Sequence, residues 1–206
     1  MLAKREPGLG LRGNSVKITI CNGKGGAGKT TISMMLALAF SEAGRRVGIS
    51  DRDPQGTATL WLERLESVKK PEIAAPGVPY DILIIDTPPN LAAPQVKDAI
   101  READKIILVA SPSPADRWTT EASAKLIQSY LIKKQRARLL FNQVQTGTLL
   151  AQELDGQAEA IGMPALFNIL RRRQCYQHAA SSLGWSALTQ RAKEEVLMVA
   201  SDIQSL

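Results

Sequence analysis

Gly23-Lys24-Gly25-Gly26-Ala27-Gly28-Lys29-Thr30 decides the fold of this chain. The run satisfies the phosphate-binding pattern GxxxxGK[ST], and its flanks supply the context such a loop needs. Ahead of it, Val16-Lys17-Ile18-Thr19-Ile20-Cys21 reads as a strand; behind it, residues 31–40 (TISMMLALAF) read as a helix. Glycines let backbone N–H groups converge on a phosphate, and the helix N-terminus adds its positive end. Lys29 is placed against terminal phosphates as a point charge, and the Thr30 hydroxyl is a Mg²⁺ ligand. A glycine-rich turn that binds nothing has no use for the lysine–threonine pair. Gly23, Lys24, Gly25, Gly26, Ala27, Gly28, Lys29, Thr30 and Thr31 are therefore the candidate nucleotide contacts.

Working outward, Asp51-Arg52-Asp53-Pro54-Gln55-Gly56 closes a second apolar strand, and Tyr80–Asp86 is a third that ends in an acid before Thr87-Pro88-Pro89. A carboxylate at the carboxyl end of a parallel strand faces the crevice where doubly wound sheets bind ligands. Asp86 can then hold a Mg²⁺-bound water, and Asp53 can orient an attacking water. Asp51 has two readings: it joins the Mg²⁺ shell, or it caps the strand end and hydrogen-bonds the loop.

The extra lysine, Lys24, makes the loop KGGxGKT, which resembles the deviant Walker A box of the ParA/MinD ATPases. The second box resembles that family's DxDPQG, and Asp86–Pro89 its DTPP. The resemblance implies ATP and Mg²⁺ as cofactors and a homodimer that sandwiches two nucleotides. Lys24 would reach the partner's phosphates, so Lys24, Lys29 and Asp53 are the catalytic candidates. It further implies slow hydrolysis stimulated by a ParB-like or adaptor protein, ATP-dependent non-specific DNA binding, and a cytoplasmic, nucleoid-associated protein. Ser111-Pro112-Ser113-Pro114 and Arg173-Gln174-Cys175-Tyr176 look like the small ParF-type partition ATPases. Two departures stand out. Arg52 replaces a usually apolar residue, and Phe141-Asn142-Gln143-Val144 is not a diagnostic base-recognition stretch, though Asn142 is the candidate nucleotide contact within it.

The chain has 206 residues, 44% of them hydrophobic and only 4% aromatic. That suits one α/β domain over residues 15–206 whose core is Ile, Leu, Val and Ala. Residues 1–14 read as a flexible basic arm without a secretory signal's apolar region. Cys21 and Cys175 give no disulfide framework, and His178 lacks metal-ligand spacing. Alternating strand and helix patterns predict a doubly wound, mostly parallel sheet with helices on both faces, the P-loop NTPase architecture. The expected elements include a turn-rich connection over 71–79, an amphipathic helix over 115–133 and one helix over 148–161. A sixth strand is expected over 165–170 and a closing helix over 188–203.

The net charge is +6. Its clusters are Lys133, Lys134, Arg136 and Arg138, and the run Arg171-Arg172-Arg173. The second run is the candidate DNA contact, since phosphates can be tracked without reading sequence; one of its arginines could instead touch nucleotide. Trp118 and Trp185 are expected to pack. The competing readings are a MinD-like membrane-associated positioning ATPase and an ATP-dependent ligase or synthetase. The tail (KEEVLMVASDIQSL) is acidic where a membrane-binding helix is basic, so no membrane partner is expected.

Overall fold

Six strands pair in the order β3-β2-β4-β1-β5-β6, every neighbour parallel. They are β1 (Val16–Cys21), β2 (Val47–Asp51), β3 (Glu72–Ile73), β4 (Ile82–Asp86), β5 (Lys105–Ala110) and β6 (Arg136–Phe141). The computed structural model describes residues 15–132, 135–180 and 183–206. The arm expected over 1–14, and Lys133 and Lys134, lie outside the described residues. Helices α1 (Lys29–Glu42), α2 (Thr57–Arg64), α3 (Pro94–Glu102), α4 (Pro114–Tyr130), α5 (Leu149–Gln152), α6 (Leu154–Ile161), α7 (Gln174–His178) and α8 (Gln190–Gln204) connect and flank the strands. The expected α/β parallel architecture is the one that forms.

The strand sequences explain the two layers. Period-two alternation sends Ile18, Ile20, Ile107, Val109 and Leu140 into the layer of α1, α2 and α8. It sends Cys21, Ile106, Leu108, Leu139 and Phe141 into the layer of α3, α4 and α6. Because both faces are covered, the strands read as continuous apolar runs. α1 is apolar nearly all round, from Ile32 to Ser41, and is buried accordingly between the sheet and α8. Lys105 Nζ donates to the carbonyls of Ile203 and Gln204 at 2.6 and 2.9 Å, tying the end of α8 to β5.

Four expectations need correction. Residues 165–170 do not form a continuous sixth strand; isolated parallel bridges join Leu139 to Ala165 and Val144 to Arg171. Between them, Asn168 N and Nδ2 donate to the Asp202 carboxylate at 2.7 and 2.9 Å, so a side chain of α8 takes the place of the ladder. The helix expected over 148–161 is broken at Glu153 into α5 and α6, where Gln157 Nε2 claims the Leu150 carbonyl at 3.1 Å. The connection over 71–79 holds β3, too short to show a strand pattern. Trp118 does not pack: it is 74% exposed. Trp185 packs against the core as expected.

Candidate functional site

The loop between β1 and α1 lies at the carboxyl ends of the central strands. Gly28 has φ 90° and ψ 19°, a conformation that L side chains avoid. A Cβ there would also lie 2.5 Å from Asn142 Nδ2. Asn142 Nδ2 in turn donates to the Ala27 carbonyl at 3.0 Å. Asn142 thus pins the loop from the end of β6. Asn22 pins it from the other side, its Oδ1 accepting from Lys24 N at 2.8 Å while Nδ2 donates to the Val109 carbonyl. Sequence reading missed Asn22; the available signal was a polar residue directly following a buried strand. Gln143 follows Asn142 at φ 58°, left-handed backbone that costs a non-glycine residue about 1 kcal/mol or more.

Lys29 is buried, and its Nζ donates to the Lys24 carbonyl at 3.3 Å. Burial holds its pKa below the ordinary lysine value, against the pull of Asp86 and Asp53. A desolvated ammonium with one long hydrogen bond is a site short of negative charge, as a phosphate-binding lysine should be. Asp86 is the complementary case. It is fully buried, and its two oxygens accept from Thr30 Oγ1 at 2.7 Å and Ser33 Oγ at 2.8 Å. Burial pushes its pKa up to about 6; the two hydroxyls oppose the shift, neighbouring Asp51 adds to it and Lys29 opposes it. Asp86 is short of positive charge, and with the Thr30 hydroxyl it offers the oxygen donors that Mg²⁺ prefers. The donor set fits Mg²⁺ held jointly with phosphates. Among the described residues no group of three or more His, Cys, Asp or Glu could hold a metal alone. Thr87 Oγ1 donates to the Ile20 carbonyl at 2.8 Å and fixes the chain after β4. Thr31, in the first turn of α1, is half-buried.

Of the two readings for Asp51, the geometry displays the loop-capping one. Its Oδ1 accepts from Asp53 N at 3.1 Å, and its Oδ2 from Thr59 N and Oγ1 at 2.9 and 3.2 Å. Asp51 therefore shapes the turn that carries Asp53 and starts α2. Arg52 points away from the loop, donating to Ser50 Oγ and to Glu102 at 2.8 Å each. Its departure from an apolar residue thus leaves the site untouched.

Lys24 is part-exposed and ion-paired to Asp116 at the start of α4. Asp116 also accepts from Ser111 Oγ at 2.6 Å, and the Lys24 and Ser111 hydrogen bonds hold its pKa below the usual carboxylate range. The Ser-Pro-Ser-Pro stretch after β5 thereby places a carboxylate beside the extra lysine. The exposed Trp118 lies one half-turn further along α4.

The arginine run behaves differently from its sequence reading. Glu195 of α8 is buried and accepts from Arg171 Nη1 at 2.6 Å, Arg173 Nε at 3.1 Å and Tyr176 Oη at 3.2 Å. Burial alone would raise the Glu195 pKa; the Arg173 and Arg171 hydrogen bonds outweigh it and hold the carboxyl below its ordinary value. Two of the three arginines are thus engaged internally, and Arg172 alone of the run is exposed. Together with Gln145, Thr146 and Arg191 the run lines a cavity of about 740 Å³. Arg136 and Arg138 lie in β6, each donating to the neighbouring backbone carbonyl.

Residues 18–183 match the CobQ/CobB/MinD/ParA nucleotide binding domain. The chain is similar to maintenance of carboxysome distribution protein A of Halothiobacillus neapolitanus, 29% identical over 180 residues that cover 79% of this chain and 82% of that protein. It is also similar to the protein of the same name from Gloeobacter kilaueensis, 31% identical over 188 residues, 85% of each chain. In fold it resembles apo McdA of Cyanothece, with a TM-score of 0.75 at 16% identity over 93% of this chain and all of that one.

Proposed function

The chain belongs to the CobQ/CobB/MinD/ParA family of nucleotide-binding domains, and from that premise we propose that it is a ParA-type ATPase that positions a cargo over the nucleoid. ATP with Mg²⁺ is the cofactor pair, and the loop residues fit it. One observation carries the reading: a single loop holds a buried lysine, Lys29, and a second, part-exposed lysine, Lys24. The first serves the loop's own nucleotide. The second, held by Asp116 at the protein surface, would serve a phosphate across an interface.

Backbone amides of residues 25–30, with Lys29, would bind and orient the triphosphate. Mg²⁺, held by Thr30 and Asp86, would neutralise charge on the transferred phosphoryl group. Asp53, carried on the turn that Asp51 braces, orients water for attack. Lys24 leaves Asp116 and pairs with the partner's phosphates, so that ATP and dimer form together. The resemblance to carboxysome distribution proteins favours a protein assembly as cargo over a plasmid. Arg172, with Arg191, carries non-specific DNA binding, while Arg171 and Arg173 keep the loop in place. A protein partner stimulates hydrolysis and releases the complex. Among the described residues no helix is long and apolar enough to cross a membrane. The apolar face of α8 (Val196, Val199, Ile203) is buried in the core, which does not favour the membrane-surface reading.

Light scattering with a nonhydrolysable ATP analogue tests the reading. The wild type is expected to dimerise, and Lys24→Ala to bind nucleotide yet remain monomeric. A normal dimer in that variant would remove the ground for the proposal. ATP turnover measured with duplex DNA and the adjacently encoded protein then examines stimulation.

A further inference from the structure

Beyond β6 the chain pairs, departs and pairs again. Leu166 N donates to the Leu139 carbonyl at 2.8 Å and Leu170 N to the Phe141 carbonyl at 2.9 Å, so a step of four residues here answers a step of two in β6. The surplus is taken up at Phe167 and Asn168, where the Asn168 amide and side chain turn to the Asp202 carboxylate instead of the sheet. Leu166 and Leu170 are buried on either side of this bend, while Phe167 is carried out to 95% exposure. Its ring lines two cavities of about 640 and 360 Å³, and so does Asp155 of α6. Met163 and Leu166 line the first, and Leu154, Ile169 and Met198 the second. An apolar floor around one protruding aromatic side chain, bordered by charge, is the anatomy of a protein docking surface.

Charge selects the occupant. The protein is basic overall, yet from Leu139 to Leu170 it has no lysine or arginine and three acids, Glu153, Asp155 and Glu159. All three are exposed and form no ion pair among the described residues. Asp155 lines both cavities and Glu159 the first, so whatever covers Phe167 brings its own charges against them. Arg171, at the wall of the second cavity, does not reverse the sign, because Glu195 already matches it. Nucleic acid or an anionic lipid surface would be repelled here, and a second copy docked about a two-fold axis would set acid against acid. We propose that this surface docks a basic segment of another protein. The segment seats one apolar side chain in each cavity, astride Phe167, and sets lysines or arginines against Asp155 and Glu159. Recognition runs through side chains and takes no backbone pairing from the sheet. The surface shares no residue with the phosphate loop, so its occupant is specified without reference to nucleotide.

The test is selection of a phage-displayed library of random twelve-residue peptides on the full chain, followed by titration of the enriched peptides. They should combine two apolar residues with lysine or arginine, and alanine at either apolar position should weaken binding about tenfold or more. Phe167→Asp and the double variant Asp155→Lys, Glu159→Lys should each weaken it by about the same factor, and the double variant should also flatten its dependence on salt. All three side chains are exposed, so their replacement leaves the fold intact, and unchanged nucleotide affinity verifies this. The proposal is overturned if no sequence is enriched, if the enriched peptides are acidic, or if they bind either variant like the wild type. Self-association of the wild type that Phe167→Asp removes would also overturn it, showing the surface to be an interface between copies.

Discussion

The phosphate loop and the arginine loop sit at the carboxyl ends of the same sheet, both read as sites, and use their charges in opposite ways. At the phosphate loop, Lys29 and Asp86 are buried without an opposite charge within hydrogen-bonding distance. At the arginine loop, the buried Glu195 is matched twice over by Arg171 and Arg173. The first arrangement keeps its buried charges apart, and the second pairs them internally. A cluster of charge in a sequence therefore has its use decided by the opposite charges that the fold brings beside it.

The largest expected effect lies at the unmatched end. Asp53→Ala should keep nucleotide binding and lower ATP turnover by about 10²–10⁴, the factor for a lost catalytic base. Turnover at the wild-type rate would move that role away from Asp53. Next, Lys29→Ala should weaken ATP binding by about tenfold to a hundredfold, since a charge-assisted contact contributes about 1.5–3 kcal/mol. A nucleotide titration matching the wild type would break the contrast from this side.

At the matched end, Glu195→Ala should act on stability. Two arginines lose a shared carboxylate, but both are part-exposed, so the cost is about 1–3 kcal/mol, below that of a wholly buried pair. Denaturant melts at neutral pH measure it, and ATP affinity should stay unchanged. The pH sign follows from the depressed carboxyl: its stabilisation is present above about pH 4.5 and is lost as pH falls through the lower folded value. A variant as stable as the wild type at pH 7 would show the network to be incidental.

The smallest effect separates the three arginines. If Arg172 alone is available, Arg172→Ala should lower the slope of log DNA affinity against log salt by about 0.9, the value for one phosphate contact. Arg171→Ala should leave that slope unchanged and reduce stability instead. Equal slope losses for both would show that Glu195 does not withhold its arginines from DNA.

Much of the fold was legible because its signals are local. The glycine loop, the strand runs and the acids at strand ends are covalent patterns whose chemistry leaves few alternatives. What was misread depended on competition between distant groups. Residues 165–170 have strand-forming side chains, but Asp202 intercepts the amide of Asn168. The helix over 148–161 is interrupted where the Gln157 side chain takes a backbone carbonyl. Trp118 looked like a packing residue because its type usually is one, yet the fold leaves it exposed on α4.

Local chemistry alone specified a phosphate loop at Gly23–Thr30, its supporting acids and the parallel sheet beneath it, because strand periodicity and glycine conformation are short-range properties. Tertiary structure decided which charges remain available. It turned Asp51 into a brace for Asp53, directed Arg52 to Glu102, paired Lys24 with Asp116 and engaged two of the three arginines on Glu195. Each outcome depends on which hydrogen-bond donor or opposite charge the fold brings within about 3 Å, and except at Asp51 that is set by packing between residues far apart in the chain.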